Sequence, residues 1–227
     1  AMFLGAGAYT TMILYLKLGV APWYGIPLGG VVAALIALPI GVICFRLRGP
    51  YFALSTLAVA EIIRLVALNW ESLTNGPVGL LITTLPEVAV GGRMIDWENK
   101  IPFYYLIAVI ALSAMAATAY MSRTRLGAYL LAIREDIDSA EAIGINTVQA
   151  RVAALSLSAF FAGVAGGFYA MYLRYIDPDA VFPIALSVEM VFIAVVGGLT
   201  TVIGPLVGAV VLVTFGETFR QVLLVGH

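Results

Sequence analysis

Charge is scarce in this sequence. Only 11% of its 227 residues are Asp, Glu, Lys or Arg, whereas a water-soluble domain carries about a quarter. So few charges cannot clothe a soluble surface, so lipid has to cover much of the chain. Lysine is nearly missing: Lys17 and Lys100 stand beside ten arginines, and the net charge is −1. No basic run is long enough to track a phosphate backbone, which excludes a nucleic-acid partner. The one cysteine, Cys44, lies in an apolar stretch. An internal disulfide is therefore excluded, and a buried, inert thiol is expected. The one histidine is His227, the last residue. With no His/Cys cluster and no nucleophile beside a base, nothing calls for a metal, a cofactor or a catalytic role. The pattern G-x-x-x-x-G-K-[ST] is also missing, which excludes ATP binding by a phosphate loop.

Apolar residues are abundant instead: 62% of the chain, with a mean hydropathy of +1.03. A bilayer core about 30 Å thick takes roughly 20 helical residues to cross. Apolar segments of about that length recur at Met2 to Leu18, Ile26 to Phe45, Tyr51 to Trp70, Ile101 to Met121 and Val152 to Leu173. A longer region, Val188 to Phe215, is interrupted by Gly197-Gly198 and Gly204-Pro205, and a further helix is expected to begin near Glu217. Backbone groups in lipid need internal partners, so only helices or closed barrels span. Barrel strands would alternate over about 10 residues, and these runs are continuously apolar over twice that. The expectation is an all-α, polytopic transmembrane helical bundle of six to seven membrane segments, forming one domain over residues 1–227. Both ends fall inside apolar stretches, which predicts a natural chain that continues beyond them.

Polar segments punctuate the spans. Residues 71–100 hold Thr74-Asn75-Gly76-Pro77, Gly79, Pro86 and Gly91-Gly92, and read as an ordered, turn-rich loop. Residues 122–151 hold four arginines and helix punctuation. If spans alternate, Arg46, Arg48, Arg123, Arg125, Arg134 and Arg151 share one side, and Lys17, Arg93, Lys100 and Arg174 the other. The positive-inside rule then puts 122–151 in the cytoplasm and 71–100 outside. Trp23, Tyr24, Trp70, Trp97, Tyr172 and Tyr175 read as interfacial anchors.

Within 122–151, Asp138-x-x-Glu141 has the form of a capping box, and Gly144 suits the left-handed residue that ends a helix. Ile137, Ala140 and Ile143 give this short helix an apolar stripe, and a second short helix, roughly Leu126 to Arg134, precedes it. Two readings are open: an amphipathic helix lying on the membrane, or a docking helix that fits a groove on a cytoplasmic partner. Glu61 and Arg64, at i and i+3 in the third span, can pair with each other. Ionisable groups there either line a translocation path or lock one helix to its neighbour. Glu189 reads as a gate or subunit contact, or as an acid at the positive end of its helix. Gly197-Gly198 marks a broken helix beside a cavity, or a tight turn. The ladders Ala159/Gly163/Gly167 and Ala162/Gly166/Ala170, and the pair Gly204/Gly208, predict close helix packing or faces that slide.

The stretch Glu141-Ala142-Ile143-Gly144-Ile145-Asn146-Thr147 resembles the EAA-type loop of ABC importer permeases. The run Ala153 to Gly167 resembles the branched-chain amino acid permease family, the LivM-type membrane subunits with LivH as their sister. So do Leu47 to Ala58 continuing into Glu61-Ile62-Ile63-Arg64, the block Thr74 to Leu80, and Ser187-Val188-Glu189 leading to Val196-Gly197-Gly198-Leu199 and Gly204 to Gly208. Thr200-Thr201 departs from the resemblance, which expects a further glycine there. The resemblance implies a prokaryotic inner-membrane permease that pairs with a second related permease, two cytoplasmic ATP-binding subunits and a soluble substrate-binding protein. Residues Ile137, Asp138, Ala140, Glu141, Ala142, Ile143 and Gly144 would be its coupling helix. The implied cargo is leucine, isoleucine or valine, and the same family also serves urea and short amides. An ion-coupled transporter acting alone is the other reading; it would explain Glu61, Arg64 and Glu189, but not a punctuated, partner-ready loop.

Overall fold

The computed structural model describes residues 1–47, 49–83, 88–90, 93–95, 100–198 and 201–225. The readings at Arg48, Pro86, Gly91-Gly92, Trp97, Leu199, Thr200 and His227, and the side chain of Arg93, lie outside what is described. The chain forms two compact units, Ala1–Ile184 and Ala185–His227.

The first unit opens with α1 (Met2–Leu18), α2 (Pro22–Cys44) and α3 (Pro50–Asn69). Proline stands at the first position of α2 and of α3, where its missing N–H leaves no bond unmade. A polar connection follows: α4 (Glu71–Thr74), a 3₁₀ turn (Gly76–Val78) and β1 (Leu80–Leu81), then the strands β2 (Val88–Val90) and β3 (Arg93–Ile95), which pair antiparallel. Next come α5 (Ile101–Ser122), α6 (Arg125–Glu135), α7 (Ile137–Ala142) and α8 (Thr147–Leu173). β4 (Tyr175–Ile176) and α9 (Pro178–Val181) close the unit. The second unit, from Ala185, holds the rest of α10 (Ile184–Gly197) and α11 (Gly204–Val225). A new helix near Glu217 does not form: α11 runs through that position unbroken.

Among the described residues, five helical stretches are long and apolar enough to cross a membrane: Pro22–Cys44, Tyr51–Asn69, Ile101–Ser122, Thr147–Leu173 and Pro178–Gly197. Met2–Leu18 and Gly204–Gly216 are shorter apolar helices. Large apolar side chains such as Leu35, Leu54, Val109 and Leu112 stand well exposed along these helices. That pattern suits a hydrocarbon solvent and would aggregate in water. The all-α membrane bundle expected from hydropathy is the architecture the chain adopts.

The core of the first unit is α1, α2 and α8. Lipid is as apolar as leucine, so helices here associate by close packing rather than by escaping water. Small residues supply that packing. A Cβ on Gly163 of α8 would lie 2.6 Å from the Ala33 Cβ and 2.8 Å from the Gly29 carbonyl oxygen of α2. One on Gly167 would lie 2.5 Å from the Thr11 hydroxyl of α1, and one on Gly7 would overlap the Gly163 backbone. Ala159 and Ala170 on the same helix are fully buried. The buried Thr11 hydroxyl lies 2.9 Å from the Gly7 carbonyl and 3.1 Å from that of Gly25, which joins α1 to α2. Thr11 meets Gly25 while Gly7 meets Gly29, so α1 and α2 run antiparallel. Cys44 is buried at the end of α2, as its apolar setting implies.

The Thr74-to-Leu80 block is a built turn. Asn75 adopts the left-handed conformation (φ 62°), and its side-chain amide donates to the Gly79 carbonyl at 2.9 Å. β1 then pairs antiparallel with β4, Leu80 opposite Ile176, and the Ile82 N–H donates to the Arg174 carbonyl at 2.7 Å. Phe182, after α9, stacks on Tyr9 of α1 with ring centroids 5.9 Å apart. The segment from Tyr175 to Phe182 therefore caps one end of the helical core. Trp23 packs against that core, whereas Tyr24 and Trp70 are exposed.

In the second unit, α10 and α11 form a hairpin in which backbone meets backbone. A Cβ on Gly197 would overlap the Gly204 carbonyl oxygen, and one on Gly208 would overlap the Ile193 carbonyl. Gly198, at φ 101°, turns the chain.

Candidate functional site

Two polar constellations stand out, one on the α6–α7 loop and one at the capped end of the core. On the loop, α6 buries Ile133 against Ala140 of α7 and Ala150 of α8, with Leu130, Ile137 and Ile145 packed around them. This small apolar cluster holds α7, which at six residues would not persist alone.

The cap of α7 differs from the expectation. Asp136, not Asp138, is the capping residue: its Oδ1 accepts the Ser139 N–H at 2.6 Å. Asp138 falls in the first turn, where a carboxylate suits the positive end of the helix. The Ser139 N–H bond holds the Asp136 carboxyl below the ordinary aspartate range. Glu141 accepts from the Thr147 hydroxyl at 2.7 Å, linking α7 forward to α8.

The other end follows the expectation. Gly144 has φ 87°, its N–H donates to the Glu141 carbonyl at 2.9 Å, and the Ile145 N–H donates to the Ala140 carbonyl at 3.1 Å. That pair of bonds is the Schellman motif. The predicted stripe is only partly internal. Ala140 is buried and Ile137 half-buried, but Ile143 is 75% exposed, because it is the C-cap and has already left the helical face. Glu141, Ala142, Ile143 and Gly144 together form an exposed end.

At the capped end of the core, Glu61 and Arg64 of α3 pair as their spacing allows. Arg64 Nη2 meets Glu61 Oε1 at 2.5 Å, and Nε lies 3.1 Å from both carboxylate oxygens. Arg64 also has a partner in α9: Nη1 bonds Asp179 Oδ1 at 2.6 Å. An isolated charge in a membrane helix costs at least about 2.5 kcal/mol, and here one guanidinium serves two acids. The three charges, with Pro183 and Ile184, line an open pocket of about 330 Å³.

The remaining sequence candidates fall elsewhere. Glu189 is exposed in the second turn of α10. Gly197 meets Gly204 and Gly208 in the hairpin, while Gly163 and Gly167 meet α1 and α2.

The family described as the branched-chain amino acid transport system / permease component matches residues 1–225. The chain belongs to this permease family. It is 30% identical over 240 residues to a protein of Salmonella typhimurium named high-affinity branched-chain amino acid transport system permease protein LivM, and 29% identical to the protein of that name in Escherichia coli. In each case the match covers 96% of this chain and 56% of the relative, so the permease spans little more than half the length of these relatives. No solved structure matches it. The apolar helices and the family together make it a multi-pass membrane protein.

Sequence reasoning missed four polar residues of the permease. Asp136 competes with Asp138 as a cap two positions away, and only backbone geometry chooses between them. Thr147 entered only through the family resemblance and Arg151 only as a flanking charge; that Thr147 bonds both Glu141 and Arg151 is decided by the fold. Asp179 gave no signal toward Arg64; the nearby Asp177-Pro178 did carry one, as a cap before a first-turn proline, and Asp177 accepts the Ala180 N–H at 2.5 Å.

Proposed function

We propose that this permease is a membrane-spanning subunit of an ATP-driven importer of leucine, isoleucine and valine, working by alternating access. In this reading, residues 122–151 face the cytoplasm and 71–100 the exterior. A second related permease completes the membrane pore, two ATP-binding subunits dock beneath it in the inner membrane, and a soluble binding protein delivers the cargo.

The observation that carries the proposal is the exposed end of α7. A helix this short, fixed by an aspartate cap at one end and a Schellman turn at the other, presents Ala142, Ile143 and Gly144 outward. A rigid, partly apolar knob on a polar loop suits a groove in a partner. The chain lacks a phosphate loop of its own, so the power stroke would arrive through such a knob.

The candidate translocation path or gate comprises Glu61, Arg64, Glu189, Gly197 and Gly198. Glu61, Arg64 and Asp179 offer both signs of charge beside Pro183 and Ile184. That combination suits the ammonium, carboxylate and aliphatic side chain of a branched-chain amino acid.

The test is reconstitution of the complete transporter in proteoliposomes, with and without the Ile143→Asp substitution. The expected outcome is leucine uptake that requires ATP and fails in the variant because the ATP-binding subunits no longer bind. Uptake by the permease alone under an ion gradient would overturn the reading.

A further inference from the structure

A chain of side chains runs from the exposed end of α7 to the start of α3. The Glu141 carboxylate accepts from the Thr147 hydroxyl. Thr147 is buried at the first position of α8. One turn later Arg151 returns to it, with Nε 3.2 Å from the Thr147 carbonyl and Nη2 3.3 Å from its hydroxyl. The same guanidinium stands over the Phe45 ring, with Cζ 5.3 Å from the centroid. Phe45 caps the C-terminus of α2 and stacks on Phe52 of α3, with centroids 5.1 Å apart and planes 13° from parallel. The contacts thus link four elements in series, with Arg151 joining α8 to the end of α2.

The packing around this chain is uneven. α2 and α8 are locked together beside it: a Cβ on Gly41 would lie 3.0 Å from Val152 and 3.1 Å from Leu155. α3 is held differently. From Tyr51 to Val66 no residue is buried. Its first turn is held by the Phe45–Phe52 stack, and its far end by the buried Ala67 and the Arg64–Asp179 bond. Phe52 and Arg64 are about 18 Å apart along the helix. Such a helix can tilt as a rod when one end is pushed, and Glu61 and Arg64 ride on it.

We propose that Arg151 and Phe45 are positioning residues that convert movement of α7 into tilt of α3, and so open or close the charged pocket at its far end. This rests on α7 being the helix on which the ATP-binding subunits act. Arginine suits the role better than lysine. Its planar fork bonds Thr147 while its face covers an aromatic ring, whereas an ammonium is a compact point charge with three donors and no planar face to lay on the ring. A cation near a helix N-terminus gains nothing from the helix dipole, so the position of Arg151 is explained by its partners and not by helix stability.

The experiment uses the complete transporter in proteoliposomes and reads leucine moved per ATP hydrolysed in Arg151→Met, Arg151→Lys, Phe45→Leu, Phe45→Trp and the Arg151→Met/Phe45→Leu double variant. Arg151→Met and Phe45→Leu should keep the ATP-binding subunits and their hydrolysis while the ratio falls about tenfold. Phe45→Trp should restore it, Arg151→Lys should recover only part, and the double variant should be no worse than either single one. An unchanged ratio in Phe45→Leu, or losses that multiply in the double variant, would overturn the proposal. Should Arg151→Met fail to assemble, the Phe45 pair decides alone. Spin labels at the exposed Leu57 of α3 and Ser158 of α8 give a second readout. Their ATP-induced change in distance should vanish in Phe45→Leu, and its persistence would also overturn the proposal. Failure of the wild-type permease to bind ATP-binding subunits would instead remove the docking reading itself.

Discussion

Arg64 on α3 bonds Asp179 on α9 at 2.6 Å across 115 residues of sequence, while also holding Glu61 one turn behind it. Asp179 is 69% exposed and Glu61 is 34% exposed, so the two acids do not contribute equally. Removing Asp179 leaves the guanidinium paired; removing Arg64 leaves Glu61 in an apolar helix without its cation.

From this asymmetry, Asp179→Asn should lower the proposed leucine uptake only slightly, whereas Arg64→Leu should reduce it several-fold and also reduce the yield of folded permease. The Glu61→Gln/Arg64→Leu double variant should recover folding relative to Arg64→Leu, because no unpaired charge remains in the helix. Uptake assays and size-exclusion profiles in detergent check both statements.

The small-residue face of α8 makes a sharper steric prediction. Valine at Gly163 has no room against Ala33 and the Gly29 carbonyl. Overpacking of this kind should cost about 1–3 kcal/mol, read as a lower unfolding temperature in detergent. Gly216 in α11 has nothing within 4 Å of its Cβ position. Gly216→Ala should therefore be neutral or stabilising by up to about 1 kcal/mol.

At Gly144 the constraint is backbone conformation, because a Cβ there meets open space while φ is +87°. Gly144→Ala should destabilise the turn by about 1–2 kcal/mol. Gly144→Asn should be tolerated better, since asparagine visits the left-handed region more readily. Binding of the proposed ATP-binding subunits, compared by co-purification, should rank glycine above asparagine above alanine.

The cap of α7 has a pH signature. The Asp136 carboxyl is held below its ordinary range by the Ser139 N–H, so the cap contributes fully above the ordinary aspartate range and is lost as pH falls through the depressed value. Hydrogen exchange of the α7 amides, corrected for intrinsic rates, should show protection that is level from neutral pH and declines only in acid. Asp136→Asn should flatten that decline. Asp136→Ala should lower protection at every pH above it, and more than Asp138→Ala does.

Much of the architecture was legible because lipid imposes a simple rule on composition. Met2 to Leu18 is the first helix as read, and Ile101 to Met121 falls one residue short of α5. The fifth span starts earlier than hydropathy indicates, at Thr147. Its first turn is polar, and the cap that starts it is the Asn146 side chain accepting the Gln149 N–H at 3.0 Å. Gly144 was legible because a left-handed helix end leaves a local residue preference. Asp136 was not, because only Asp138 has the glutamate three residues on that completes a capping box, whereas the extended backbone that makes a cap falls at Asp136 (φ −157°).

By itself, then, the sequence determined that this protein lives in lipid, where its helices lie, and which polar loop carries a punctuated short helix. Those properties depend on hydrophobicity and on interactions within a few residues, and they are written in order along the chain. Tertiary structure alone decided that Arg64 reaches Asp179, that Arg151 lies over Phe45, and that Gly163 faces Ala33 and Gly29. Each joins side chains from helices distant in sequence, and which faces meet is settled only when the helices pack.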